Sequence, residues 1–175
     1  MQTINFTRGV PANESFPIEE LSEAAGAILR SKGAAILQYG PSFGFLPLRE
    51  WLAEWQHASV DAVLTANGSL QLIEFLCLHM IKPGDLVFTE SPTYDRTLGL
   101  LRRHHATVVG IPVEADGPNI DALERALTKQ VPKLLYVIPD FQNPAGSTCS
   151  GVKRRRIAEL ATRYGFLVVE DAPYR

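Results

Sequence analysis

Two acids and a tyrosine, Glu170, Asp171 and Tyr174, follow the apolar run 166–169 near the end of the chain. A carboxylate at the carboxyl end of such a run sits where α/β sheets place their ligands. If buried, it needs a partner. A protonated ring nitrogen would serve, and so would a nearby arginine or a helix N-terminus. Upstream, Asn67-Gly68-Ser69, Ser91-Pro92-Thr93-Tyr94 and Asn143-Pro144-Ala145-Gly146 each close another apolar run. At the first, a tight turn through Gly68 opens a helix at Ser69. Free N–H groups and partial positive charge in a first helical turn suit phosphate, although a plain serine N-cap accounts for the same residues. Tyr94, just past a run's end, has the placement to lie flat against a planar ligand or to sit half-exposed at a helix start. Asn143, biased toward extended backbone by Pro144, either points its amide at a ligand or closes a local turn. Four polar clusters at four run ends point to one site.

The elements that must position these residues alternate. Apolar runs at 62–65, 86–89, 107–113, 134–138 and 166–169 are separated by amphipathic segments at 69–81, 94–104, 120–127 and 152–164. Strands alternating with helices imply βαβ units and a parallel sheet with right-handed crossovers. A run such as Leu134-Leu135-Tyr136-Val137-Ile138 fits a strand buried on both faces. Before residue 46 the pattern differs. Pro17 opens a helix expected to run to Arg30, with Gly33 ending it, and 37–47 is too rich in glycine and proline to be regular. A further helix is expected over 48–57. Residues 1–45 read as an arm with small-domain material and 46–175 as the start of an α/β domain.

Composition excludes several classes. The chain has 175 residues, 46% of them hydrophobic and 21% charged, and a net charge of −2. That makes no electrostatic case for nucleic acid or an anionic membrane. The one basic run, Arg154-Arg155-Arg156, falls within an amphipathic pattern and reads as a solvated helix face. Two cysteines, Cys77 and Cys149, form neither a disulfide framework nor a zinc motif. The N-terminus has no signal-peptide pattern, and no run reaches the roughly 18 apolar residues of a membrane span. The expected compartment is a reducing cytoplasm. Neither Gly-x-Gly-x-x-Gly nor Gly-Lys-Ser/Thr occurs, which argues against dinucleotide and P-loop readings.

In order and spacing, Asn67-Gly68-Ser69-Leu70-Gln71, Ser91-Pro92-Thr93-Tyr94, Phe141-Gln142-Asn143-Pro144-Ala145-Gly146 and Glu170-Asp171-Ala172-Pro173-Tyr174 resemble the fold-type I, pyridoxal-5'-phosphate-dependent aminotransferases of class I/II. The front end, 7–17 with 37–41 and 47–49, is similar to the branch holding 2-aminoadipate-type aminotransferases and the effector domain of MocR-type regulators. The resemblance covers essentially the whole chain. It implies a three-layer αβα fold with a mostly parallel sheet, here incomplete, and pyridoxal 5'-phosphate as cofactor. It further implies that Gly68, Ser69 and Leu70 hold the cofactor phosphate and that Tyr94 stacks on the ring. Asn143 and Tyr174 would bond the phenolic oxygen, and Asp171 would pair with the ring nitrogen. In a homodimer Tyr39 would reach the partner's cofactor. Gly9 and Asn143 would lie near the substrate, an amino acid or its 2-oxo acid.

One departure is large. The family's Schiff-base lysine lies well beyond the Asp-x-x-Tyr motif, and none of Lys32, Lys82, Lys129, Lys133 and Lys153 stands there. No catalytic residue is therefore assigned to this chain. In the family's sheet the run 62–65 pairs with a strand later than residue 175, so a gap in mid-sheet is expected, with unpaired backbone groups. The chain reads as the N-terminal piece of a longer protein, inactive and poorly folded by itself. Rival readings are a lyase of the same fold, the ligand-sensing half of a MocR-type regulator, and a plain α/β binding domain. The second is disfavoured because no basic helix-turn-helix precedes the arm.

Overall fold

The computed structural model describes residues 11–174. The chain divides into two compact units, Met1–Thr65 and Ala66–Arg175.

In the first unit, α1 (Ile18–Ile36) carries Glu19 and Glu20 in its first turn, where negative charge complements the helix dipole. The helix passes through Gly33 instead of stopping there. A glycine costs about 1 kcal/mol in a helix interior, and Ala34 and Ala35 continue the helix beyond it. α2 (Leu46–Trp55) starts two residues earlier than its composition suggests, because Pro47 is accommodated in a first turn. Trp51 and Trp55, one turn apart, place their ring centroids 5.4 Å apart.

The expected strand at 62–65 does not form. Val60–Ala62 is a 3-10 turn and the backbone that follows bonds locally. Arg49 Nε donates to Val63 O and Arg49 Nη2 to Val60 O, each at 2.7 Å. The Thr65 N–H donates to Phe43 O at 3.0 Å, and the Arg49 guanidinium lies 5.5 Å from the Phe43 ring centroid. A side chain and a loop thus take the groups a sheet ladder would have used. Gly44, at φ +109°, sits so close to Thr65 that a Cβ there would stand 1.9 Å from Oγ1.

The second unit runs α3 (Ser69–Met80), β1 (Leu86–Ser91), α4 (Asp95–Arg103), β2 (Thr107–Glu114), β3 (Gly117–Pro118), α5 (Ile120–Leu127), β4 (Leu134–Val137), α6 (Gly151–Tyr164) and β5 (Leu167–Glu170). The sheet order is β3-β2-β1-β4-β5. β2, β1, β4 and β5 are parallel, and β3 adds a short antiparallel hairpin to β2. The expected mid-sheet gap is absent, because these five strands pair continuously and 62–65 takes no part. β5 forms one edge, where Leu167 is 48% exposed.

Period-two alternation sorts the side chains. Leu86, Phe88, Leu135 and Val137 pack with Leu123 and Leu127 of α5 and Ile157 and Leu160 of α6. Val87, Leu134, Tyr136 and Ile138 pack with Ile73 and Cys77 of α3 and Leu101 of α4. Helices therefore cover both faces of a mostly parallel sheet, which is the expected α/β architecture. Cys77 is a buried small hydrophobe, and burial pushes its thiol pKa up.

The basic run is less solvated than its pattern suggests. Only Arg155 is fully on the surface. Arg154 donates to Cys149 O and Pro139 O and pairs with Asp140 at 2.6 Å. Arg156 pairs with Glu124 and Glu159.

Candidate functional site

The topology sets where the polar clusters go. From β1 the chain moves through α4 to β2 on one side. It then returns through α5 to β4, on the other side of β1. The order thus reverses between β1 and β4, and open α/β sheets bind ligands outside the carboxyl ends of strands flanking such a reversal. Parallel strands share their carboxyl edge, so the turn 91–94 after β1, the loop 138–150 after β4 and Asp171 after β5 all lie along it. α3 brings in the fourth cluster. Its twelve residues rise about 18 Å and the six of β1 about 20 Å, joined by a short connection at 81–85. The helix therefore runs back across the sheet and starts at the same carboxyl edge.

At that start Gly68 adopts φ +89° and ψ 158°, a region that only glycine occupies without strain. Gln71 Oε1 reaches back to accept the Asn67 N–H at 2.8 Å. No side chain caps the first turn, so the N–H groups of Ser69 and Leu70 receive none of the help that Asn119 gives α5 and Ser150 gives α6. Leu70 and Tyr94 both pack against the cluster containing Tyr136. The α3 start, the residue that precedes α4 and the end of β4 are thereby brought together on one face.

Asp171 belongs to the same face. Val169 pairs with Tyr136 in register and packs on the α3/α4 side, and Asp171 follows Val169 by two residues. Its N–H extends the ladder to Val137 O at 2.9 Å. The Tyr136 hydroxyl donates to Asp171 Oδ2 at 2.7 Å. Burial pushes the Tyr136 hydroxyl pKa well above the ordinary tyrosine range, and the neighbouring Asp171 carboxylate adds to the shift. The phenol therefore stays a donor.

Two further residues, Glu90 and Gln142, tie the loops together. Glu90 is 2% exposed, and its Oε2 accepts the Ile138 N–H at 2.8 Å and Gln142 Nε2 at 3.1 Å. Burial raises its pKa, with those hydrogen bonds opposing. Gln142 also donates to Pro92 O and accepts the Ala145 N–H, each at 2.8 Å. The turn after Asn143 is thus closed by Gln142. The Asn143 amide makes no hydrogen bond among the described residues and remains half-buried. Tyr174, just past β5, is half-exposed.

Two expected contributors remain. Tyr39 is fully exposed on the loop after α1 in the first unit, and Gly9 lies outside the described residues. Sequence reasoning overlooked Tyr136, Glu90 and Gln142. The signals existed, since a tyrosine inside an aliphatic strand buried on both faces must place its hydroxyl somewhere. A glutamate ending such a strand has the same need.

Comparison with known proteins agrees with this architecture. Residues 2–175 match the family described as aminotransferase class I and II. An aromatic-amino-acid aminotransferase from Thermococcus litoralis is 39% identical over 98% of this chain and 44% of its own length. A 2-aminoadipate transaminase from Thermus thermophilus is 38% identical over 98% and 43%. The crystal structure of an α-aminoadipate aminotransferase from Thermus thermophilus, complexed with N-(5'-phosphopyridoxyl)-L-leucine, superposes with a TM-score of 0.91. It is 39% identical over 97% of this chain and 44% of its own. The chain thus spans less than half the length of the relatives it matches.

Proposed function

The chain belongs to the aminotransferase class I and II family, and from that premise we propose that it forms the cofactor-binding portion of an enzyme that moves an amino group between an amino acid and a 2-oxo acid. The observation that carries the reading is the convergence at one sheet edge. An uncapped helix start, a half-buried aromatic, a loop amide and an oriented carboxylate all follow elements that end at the carboxyl edge, where the connections leaving the paired strands β1 and β4 run to opposite sides.

These residues fit pyridoxal 5'-phosphate. The N–H groups of Ser69 and Leu70, behind Gly68, suit a phosphate dianion. Tyr94 offers a ring face. Asn143 and Tyr174 offer donors for the phenolic oxygen. When bound, the cofactor supplies an electron sink for charge developing at the α-carbon of an amino acid. The part played by Asp171 is to hold a proton on the ring nitrogen. An opposite charge within about 4–6 Å commonly shifts a pKa by 1–3 units, and each unit is 1.36 kcal/mol. Tyr39 is assigned to the cofactor site of a partner subunit in a homodimer, and Gly9 to the substrate carboxylate. The names of the relatives favour 2-aminoadipate or aromatic amino acids as donors.

The test is amino transfer from L-2-aminoadipate and from L-phenylalanine to 2-oxo acids, in the full-length protein that carries this chain. Asp171→Asn is expected to lower kcat about 10- to 1,000-fold, from the shift above, and Asp171→Glu less. An Asp171→Asn enzyme within twofold of wild type would overturn the assignment.

A further inference from the structure

Asp171 is held in two ways. Its N–H continues the β4–β5 ladder to Val137 O, which places its Cα, and the phenol of Tyr136 grips its carboxylate. Tyr136 stands opposite Val169 in the register, two residues short of Asp171, a distance of about 6.6 Å along a strand. A tyrosine side chain leaning along the strand spans that gap, and a shorter donor would not.

The consequence lies in how a carboxylate divides its acceptor capacity. With Tyr136 on Oδ2, rotation about the Cβ–Cγ bond is arrested and Oδ1 is the oxygen left for a second donor. Tyr136 itself cannot wander. It is 1% exposed and packed among Ile73, Cys77, Leu101 and Leu134. Because a buried phenol remains protonated, its bond to Asp171 persists wherever Asp171 is ionised.

We infer that Tyr136 is a positioning residue, which fixes the Asp171 carboxylate so that one oxygen faces the cofactor's ring nitrogen. This rests on the proposed function and deepens it. Asp171 would touch the ring, and Tyr136 would act only through Asp171. The alternative is that the hydroxyl of a core tyrosine merely found the nearest acceptor. That would give the phenol a part in packing and none in binding.

The two are separated by a double-mutant cycle in the full-length protein, read as the affinity for pyridoxamine 5'-phosphate by calorimetry. Phe at 136 keeps the ring in the core and removes the hydroxyl, which also faces the buried Thr97 hydroxyl, and unfolding midpoints of all four proteins report that cost to the fold apart from the effect on binding. Tyr136→Phe should weaken binding about tenfold, the scale of one charge-assisted hydrogen bond. In an Asp171→Asn background the same change should cost less than twofold, because the group it acts through is gone. Equal losses in both backgrounds, or wild-type affinity in Tyr136→Phe, would overturn the inference. If Asp171→Asn itself binds like wild type, the cofactor reading fails first and the role of Tyr136 falls with it.

Discussion

Glu90→Ala strips the acceptor from one buried backbone donor. In the native structure the Ile138 N–H ends on Glu90 Oε2 at 2.8 Å, and Ile138 is buried. Without that carboxylate the N–H has no partner, and an orphaned buried donor costs about 1–3 kcal/mol. Gln142 fares better, because its Nε2 keeps Pro92 O at 2.8 Å. The damage should therefore concentrate at one amide. At about 1.4 kcal/mol per tenfold, hydrogen exchange at Ile138 should quicken about 5- to 150-fold. Glu90→Gln retains an acceptor at the same reach and should quicken it less than about fivefold. The Lys133 N–H, bonded to Leu86 O at the opposite end of β1, is the internal control and should be little changed in either variant. Amide exchange read by NMR or mass spectrometry checks this. Unchanged exchange at Ile138 in Glu90→Ala, or equal acceleration at Lys133, would refute the claim that this acid splices the two loops.

The same acid carries a pH dependence. Its pKa is raised by burial above the ordinary 4.5, so the folded state holds its proton more tightly than the unfolded state. The stability linked to it is full below that ordinary value and is lost as pH rises through the folded value. Urea midpoints of Glu90→Gln relative to wild type should therefore climb as pH rises from about 4.5. At Gly68, alanine meets open space but must adopt φ +89°. That costs about 1–3 kcal/mol, and calorimetry should show weaker phosphate-ester binding with little loss of helix by circular dichroism. Gly44→Ala should lower the unfolding midpoint through both its φ of +109° and its collision with Thr65. Thr65→Ala should restore only the part due to the collision. Asn119→Ala removes the α5 cap and should cost about 1 kcal/mol in urea unfolding, without touching ligand affinity.

Particular elements explain what could be read from residues alone. α5 falls at Ile120–Leu127 as expected, because an Asn cap and a clean apolar stripe agree there. The sheet's parallel strands were legible as apolar runs between helices. The run at 62–65 misled because its apolar composition is that of a strand, whereas strand formation is decided by neighbours. Here Arg49 and Phe43 took its backbone groups instead. Gly33 misled for the opposite reason, since a local break signal of about 1 kcal/mol was outweighed by the turns around it. β3 spans only Gly117–Pro118, too short for any period to register. At the site, the polar residues that close the apolar runs stood out as candidates in the sequence. Tyr136 and Gln142 were not, because their significance lies in pairings across 35 and 52 positions of sequence that only the folded register creates.

The role proposed for Asp171 is to keep a proton on the ring nitrogen of a bound vitamin B6 phosphate. The 15N chemical shift of that nitrogen, in labelled pyridoxamine 5'-phosphate bound to the full-length protein, reads this directly. A protonated shift is expected in wild type under mildly alkaline conditions and an unprotonated one in Asp171→Asn. The same shift in both proteins would contradict it.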